Sequence, residues 1–210
     1  MARDEVSICN VALSRIGITM KIASLDNPRT KEAIELAAVY EDVRDRVLAA
    51  AHWPFARKPV RLQQTGTTPE KWAYRYEYPN DCLAVRFIFP PIGLGRSPET
   101  FRQALQEIKT PYELALDDDD SLTICTDLGP VAVLEYTKRV VNPARYDAMF
   151  SSALSWALAS EVSLPLAKTV DHAQNAAKAY ERIVAEATAK ALNEEVRQDP
   201  PDSEFVRARL

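Results

Sequence analysis

The spacing of apolar residues changes period twice along this chain, and that double change constrains the fold more than any other feature. Near the start, Val6, Cys9, Leu13 and Ile16 recur at three and four residues, one face of a helix, before Gly17 supplies a left-handed stop. Asn27-Pro28 has the form of a second helix start. Ile34, Ala37, Ala38, Glu41, Arg44, Val47, Leu48 and Ala51 then share the side predicted to face inward. Pro54 pushes Trp53 out of helical geometry, so the helix is expected to end at His52-Trp53.

The middle then shifts toward period two. Arg57 to Gln64 alternates weakly, and Tyr74 to Tyr78, Leu83 to Phe89, Tyr112 to Leu116, Leu122 to Thr126 and Val131 to Val140 are rich in aromatic and β-branched residues. Pro79-Asn80-Asp81 is expected as a turn. Ser97-Pro98-Glu99 looks like a capped start to a short helix carrying Phe101, Leu105 and Ile108. Helical spacing returns at Asn142-Pro143, with Tyr146, Met149, Phe150, Ala153, Leu154 and Ala157 as a buried stripe closed by Pro165. The last and longest helix is predicted over Lys168 to Val196. Its small-residue seam is Val170, Ala173, Ala177, Tyr180, Val184, Ala187 and Ala191, suited either to the core of a bundle or to a contact with another subunit.

The fold class this predicts is α+β. A helical bundle is built from both chain ends (1–55 and 142–197), with a small antiparallel sheet or barrel inserted over 56–141. A C-terminal tail, 198–210, contains the helix-breaking Pro200-Pro201. In that tail Phe205, Val206, Arg207, Arg209 and Leu210 are the candidate anchors for docking on a partner. Trp53 and Phe55 flank the proline at the change of period, so they are expected to seal the junction between helical and β layers.

Composition narrows the function classes. With 210 residues, a core burying ~70 % of the unfolded surface is attainable without staples. The net charge of −4 argues against a protein that wraps nucleic acid. The charge is unevenly spread: residues 57–75 hold Arg57, Lys58, Arg61, Lys71 and Arg75 against one acid, and the favoured reading is a solvated strand face. The longest uncharged apolar-leaning run, Ala148 to Ser160, is shorter than the roughly 20 helical residues a bilayer requires. The N-terminus lacks a signal-peptide pattern. Cys9, Cys82 and Cys125 are odd in number and far apart, which points to buried thiols in a reducing compartment.

Catalytic and metal-binding patterns are not legible. His52 and His172 have no metal-ligand spacing, and no Cys-x-x-Cys occurs. Gly93-Leu94-Gly95-Arg96-Ser97 lacks the glycine and lysine positions of the phosphate-binding fingerprints. Asp117 to Asp120 has the oxygen ligands that Ca²⁺ or Mg²⁺ takes, but not the EF-hand pattern, and its favoured reading is a solvated hairpin tip. Glu41, Asp42 and Asp45 read as surface charges balanced by Arg44 and Arg46. The expectation is a non-enzyme with no cofactor and no metal.

Ile16-Gly17, Ser24-Leu25-Asp26, Arg46-Val47-Leu48, Trp53-Pro54-Phe55, Tyr78-Pro79-Asn80-Asp81-Cys82-Leu83 and Arg145-Tyr146-Asp147 follow one another in a familiar order. In this layout, which covers nearly the whole chain, the sequence resembles the head-to-tail adaptors of tailed bacteriophages, the tail tubular protein A family of short-tailed phages and its relatives. The resemblance implies a homo-oligomeric ring, usually a dodecamer, seated under the portal protein at one capsid vertex. A nozzle or next tail ring protein would attach below, and DNA would pass through the lumen without sequence-specific binding. It implies location in the virion after assembly in the host cytoplasm, with no enzymatic activity and no membrane. The segment Ser97 to Ile108 departs from the family pattern and leaves the strand count open. The alternative class is a non-catalytic cytoplasmic helical adaptor or regulatory binding module.

Overall fold

The computed structural model describes residues 4–66, 69–90 and 110–194, with side chains described as far as residue 191. The docking-tail anchors Phe205, Val206, Arg207, Arg209 and Leu210 lie outside these residues, as do the glycine-containing segment 93–97 and the helix expected at 97–108. Within them the protein is mixed α+β: four helices, with two small antiparallel three-stranded sheets inserted between the second helix and the third. The helices are α1 (Glu5–Arg15), α2 (Lys31–Ala50), α3 (Ala148–Val162) and α4 (Val170–Glu194). The strands are β1 (Arg57–Arg61), β2 (Tyr74–Glu77), β3 (Cys82–Phe89), β4 (Tyr112–Leu116), β5 (Leu122–Thr126) and β6 (Val133–Lys138).

Helix α3 organises the helical layer. It is apolar on nearly every side, and a helix of that composition has to be surrounded. Phe150, Ala153, Leu154, Ala157, Leu158, Ala159 and Val162 are all buried, and α1, α2 and α4 each pack against it. Its buried Ser155 hydroxyl donates to the carbonyls of Ser151 and Ser152, so the polar atom is satisfied within the helix. Helix α1 starts on a capping box at Asp4 and stops where Gly17 takes φ of +80°. At its last turn the Arg15 guanidinium bonds the carbonyl and hydroxyl of Ser152 and lies 4.0 Å over the Trp156 ring.

Two of the expected helix starts are displaced. Asn27 takes φ of +51°, a left-handed conformation unlike the extended backbone of a helix N-cap, and the cap of α2 is Thr30, whose hydroxyl accepts from the Ala33 N–H. The Asn142 side chain does cap, but only a single 3-10 turn at Pro143–Arg145; Asp147 caps α3. The inner face of α2 is also rotated from the expected one. Ala33, Leu36, Tyr40, Val43, Arg44, Val47 and Leu48 are buried, whereas Ile34 is 51 % exposed and Ala38 and Glu41 face solvent. The alanines gave the sequence pattern little contrast, and two neighbouring stripes fitted it. Lys168 takes φ of +55° at the turn between α3 and α4, so α4 begins at Val170 rather than at 168.

The two sheets have strand orders β1-β6-β3 and β2-β5-β4, all antiparallel. Strands β2 and β3 are joined by the Pro79–Asp81 turn yet pair in different sheets, so this turn carries the chain from one layer to the other. Side chains from both layers meet in one apolar cluster that includes Tyr76 and Ile124 from one sheet and Ile88, Leu134 and Tyr136 from the other.

Candidate functional site

The joint between the helical layer and the sheets is built where α2 has to stop. The last carbonyls of any helix lack partners within it, and α2 has no glycine to wrap them. Side chains do so instead. The Trp53 indole N–H donates to the Val47 carbonyl at 2.8 Å, and the Arg86 guanidinium donates to Ala49 and Ala51 carbonyls at 2.9 and 2.8 Å. A third donation from Arg86 reaches the Thr137 hydroxyl on β6. Arg86 lies where the pairing of β3 with β6 slips by one residue, between Val85 and Phe87. Such a bulge re-aims a side chain, and the one it carries here caps the helix. Burial pushes the Arg86 guanidinium below its ordinary pKa, against which the negative end of the α2 dipole favours the cation.

Trp53 is 2 % exposed, its ring edge-on to Phe150 at 5.1 Å, and Phe55 meets Phe150 and Tyr146 at 5.2 and 5.8 Å. These four rings fill the space under the joint. A second tie is electrostatic. Asp45 on α2 accepts from Arg44 Nε at 2.9 Å and from Arg139 Nε at 2.7 Å, just beyond β6. Arg44 is thus a buried member of a network linking the layers, on the inner side of α2 as its spacing predicts, and Arg46 reaches Glu161 on α3. The β lobe is therefore held against the helical layer by directed contacts.

The α4 seam lies in two environments. Ala187 is buried, and Tyr180 and Val184 pack against the bundle beside Ala176 and Ile183, which the sequence pattern did not single out. Ala173, Ala177 and Ala191 are half-buried, while Val170 at the start of the helix is 54 % exposed. Most of the stripe thus faces its own bundle. Of the basic stretch, Arg57 meets Glu135, Lys58 meets Asp81 and Lys71 meets Glu113, so three of its five cations have carboxylate partners within the fold.

Asp117 to Asp120 form the tip of the β4–β5 hairpin. The Asp117 carboxylate accepts from the backbone N–H groups of Asp119 and Ser121, and Asp120 takes φ of +58°. The turn thereby uses one of the four side chains to make itself. Among the described residues, no group of three or more His, Cys, Asp or Glu side chains is placed to hold a metal ion. No described helix is long and apolar enough to cross a membrane. A surface hollow of about 310 Å³ lies beside the joint, lined by His52, Val85, Phe87, Thr188 and Ala191 among others.

Beyond the joint, β4 carries exposed apolar side chains. Tyr112, Leu114 and Leu116 alternate onto one face and are 39, 44 and 60 % exposed, with Leu122 opposite Leu116. The period-two pattern of 112–116 was legible in the sequence; which of the two faces stayed uncovered was not.

No protein-family model matches this sequence, and no curated protein is significantly similar to it.

Proposed function

We propose that this chain is a structural adaptor subunit that joins the capsid portal of a tailed bacteriophage to its tail. In this reading it forms a closed ring of about twelve copies, the symmetric solution for a head-to-tail contact that repeats. The ring sits beneath the portal protein, receives a nozzle or next tail ring protein below, and lets DNA pass through its lumen in the assembled virion. No reaction is catalysed.

The observation that carries the reading is the way the molecule is put together. Both ends of the chain build one helical layer, and the β lobe emerges between α2 and α3, fastened to that layer by Arg86, Trp53 and the Asp45 network. A lobe fixed at a set angle suits a subunit that transmits geometry from one ring to the next. The mildly acidic charge suits a conduit wall that should not grip DNA. The exposed apolar residues on β4, with Val170 and Leu164 at the far end of the bundle, leave surfaces for neighbours.

The test is sedimentation of the full chain with the portal ring from its own source. Co-migration with portal, at a fixed ratio and absent with an unrelated ring, is the expected result. A chain that stays at its own sedimentation position in excess portal overturns the reading and leaves the helical binding module in its place.

A further inference from the structure

Strand β4 is an edge strand with an apolar face that runs out of cover. It pairs only with β5, and its other edge has no partner among the described residues. Directly inboard on the same face, Ile124 and Tyr76 are fully buried; moving outward, Leu114 and then Leu116 are open. An edge with unpaired backbone groups and exposed apolar side chains is a template for an added strand. The other face of β4 presents Glu113, already bonded to Lys71 and Trp72, and the hairpin tip at its end holds Asp117 to Asp120, where the negative charge is concentrated.

One stretch of this chain has the complementary pattern. In the sequence 204–210, Val206, Ala208 and Leu210 alternate with Phe205, Arg207 and Arg209, a period of two rather than of a helix. An extended strand with that order has an apolar side and a side bearing two cations. Nine residues, 195–203, separate it from the end of α4 and span up to about 30 Å when extended, the scale of a step to an adjacent subunit. The β4 side chains Tyr112, Leu114 and Leu116 are 39–60 % exposed, and none of the described residues covers them.

We propose that residues 204–210 of one copy add as an outer strand to β4 of the neighbouring copy. Val206, Ala208 and Leu210 continue the apolar face of Tyr112, Leu114 and Leu116, and Arg207 and Arg209 lie toward the aspartate tip. Such a contact is heterologous, tail of one subunit to edge of the next, and so belongs with a closed ring. This inference deepens the adaptor reading and rests on it for the identity of the neighbour.

The probe is a fluorescein-labelled peptide of residues 198–210 titrated with the full chain and read by polarisation. Saturable micromolar binding is expected. It should weaken about tenfold or more with Leu114→Glu in the full chain, with Asp118→Lys/Asp119→Lys in the full chain, or with Arg207→Glu/Arg209→Glu in the peptide. The aspartate variant changes only an exposed hairpin tip, so it stands as a control should Leu114→Glu unfold the lobe. No binding at millimolar concentration, or binding that both β4-side variants leave intact, overturns the proposal. A tenfold gain in peptide affinity when Arg207→Glu/Arg209→Glu is placed in the full chain, at dilutions where that chain sediments as a monomer, also overturns it, because the chain's own tail would then occupy β4. Peptide binding without portal co-sedimentation defeats only the adaptor reading; portal co-sedimentation without peptide binding defeats only this inference.

Discussion

Replacing Arg86 by methionine should loosen the whole molecule, because one side chain serves both layers. The substitution keeps much of the apolar stem and removes the three hydrogen bonds to Ala49, Ala51 and Thr137. Bonds from a charged donor contribute about 1.5–3 kcal/mol each, and favourable charge at a helix C-terminus adds about 0.3–1 kcal/mol. Returning the guanidinium to water on unfolding offsets part of this, since its burial is costly enough to lower its pKa. A net loss of about 2–4 kcal/mol follows, a large share of a typical domain stability of about 5–15 kcal/mol. With a urea slope of about 2–3 kcal/mol per molar, the midpoint should fall by about 0.7–2 M. Far-UV circular dichroism would follow the helices and tryptophan fluorescence would follow Trp53 at the joint. Arg86→Lys keeps the charge but loses the planar fork, and should fall between methionine and wild type. A methionine variant within about 0.5 kcal/mol of wild type, at unchanged slope, would refute the capping argument, since that is the ordinary scatter of surface substitutions.

Four further outcomes follow from the same structure. Tyr40→Phe should be neutral or stabilising by up to about 1 kcal/mol in urea unfolding, because the buried Tyr40 hydroxyl has no hydrogen-bond partner among the described residues; a loss of more than that would reveal a partner. Burial pushes the Asp81 carboxyl up, but the Tyr136 hydroxyl and Lys58 ammonium outweigh it and hold the group below its ordinary value. A carboxylate held low when folded adds stability that is complete above about pH 4 and lost as pH falls through the folded value. Asp81→Asn should therefore cost more at pH 7 than at pH 3, and equal midpoint shifts at the two pH values would contradict this. The Cys9 thiol is pushed up to about 12 by burial, with Glu5 and Asp4 adding to the shift, and Cys82 and Cys125 are buried too. A thiol-specific disulfide reagent at pH 8 should thus label none of the three until urea is added. Gly129→Ala should destabilise by about 1–3 kcal/mol, since an added Cβ would stand 2.3 Å from the Tyr74 ring; thermal melts would show whether the ring gives way freely.

The fold class was legible because apolar spacing alone separates a helical end from a β middle. Trp53 and Phe55 could be placed at the joint because Pro54 pushes the residue before it out of the helix, and the rings on either side of it pack on Phe150. The inner face of α2 was only partly placed: Arg44, Val47, Leu48 and Ala51 are buried as expected, but Ile34, Ala38 and Glu41 are exposed, since alanines suit either stripe and Leu36, Tyr40 and Val43 mark the true one. The sorting of β2 and β3 into separate sheets had no local signal, because a turn of proline, asparagine and aspartate serves a hairpin or a layer crossing equally well. Arg86 was invisible as a cap. Its role depends on a bulge set by pairing with β6, some fifty residues later in the chain. For the same reason the open face of β4 emerged only once the register of β4 with β5 was known.

The most direct test of the central claim is electron microscopy of the full chain mixed with the portal ring from its own source. The account predicts a second, coaxial layer of density beneath the portal, whose rotational symmetry gives the number of subunits. Bare portal rings beside small unattached particles, at protein concentrations well above micromolar, would contradict it.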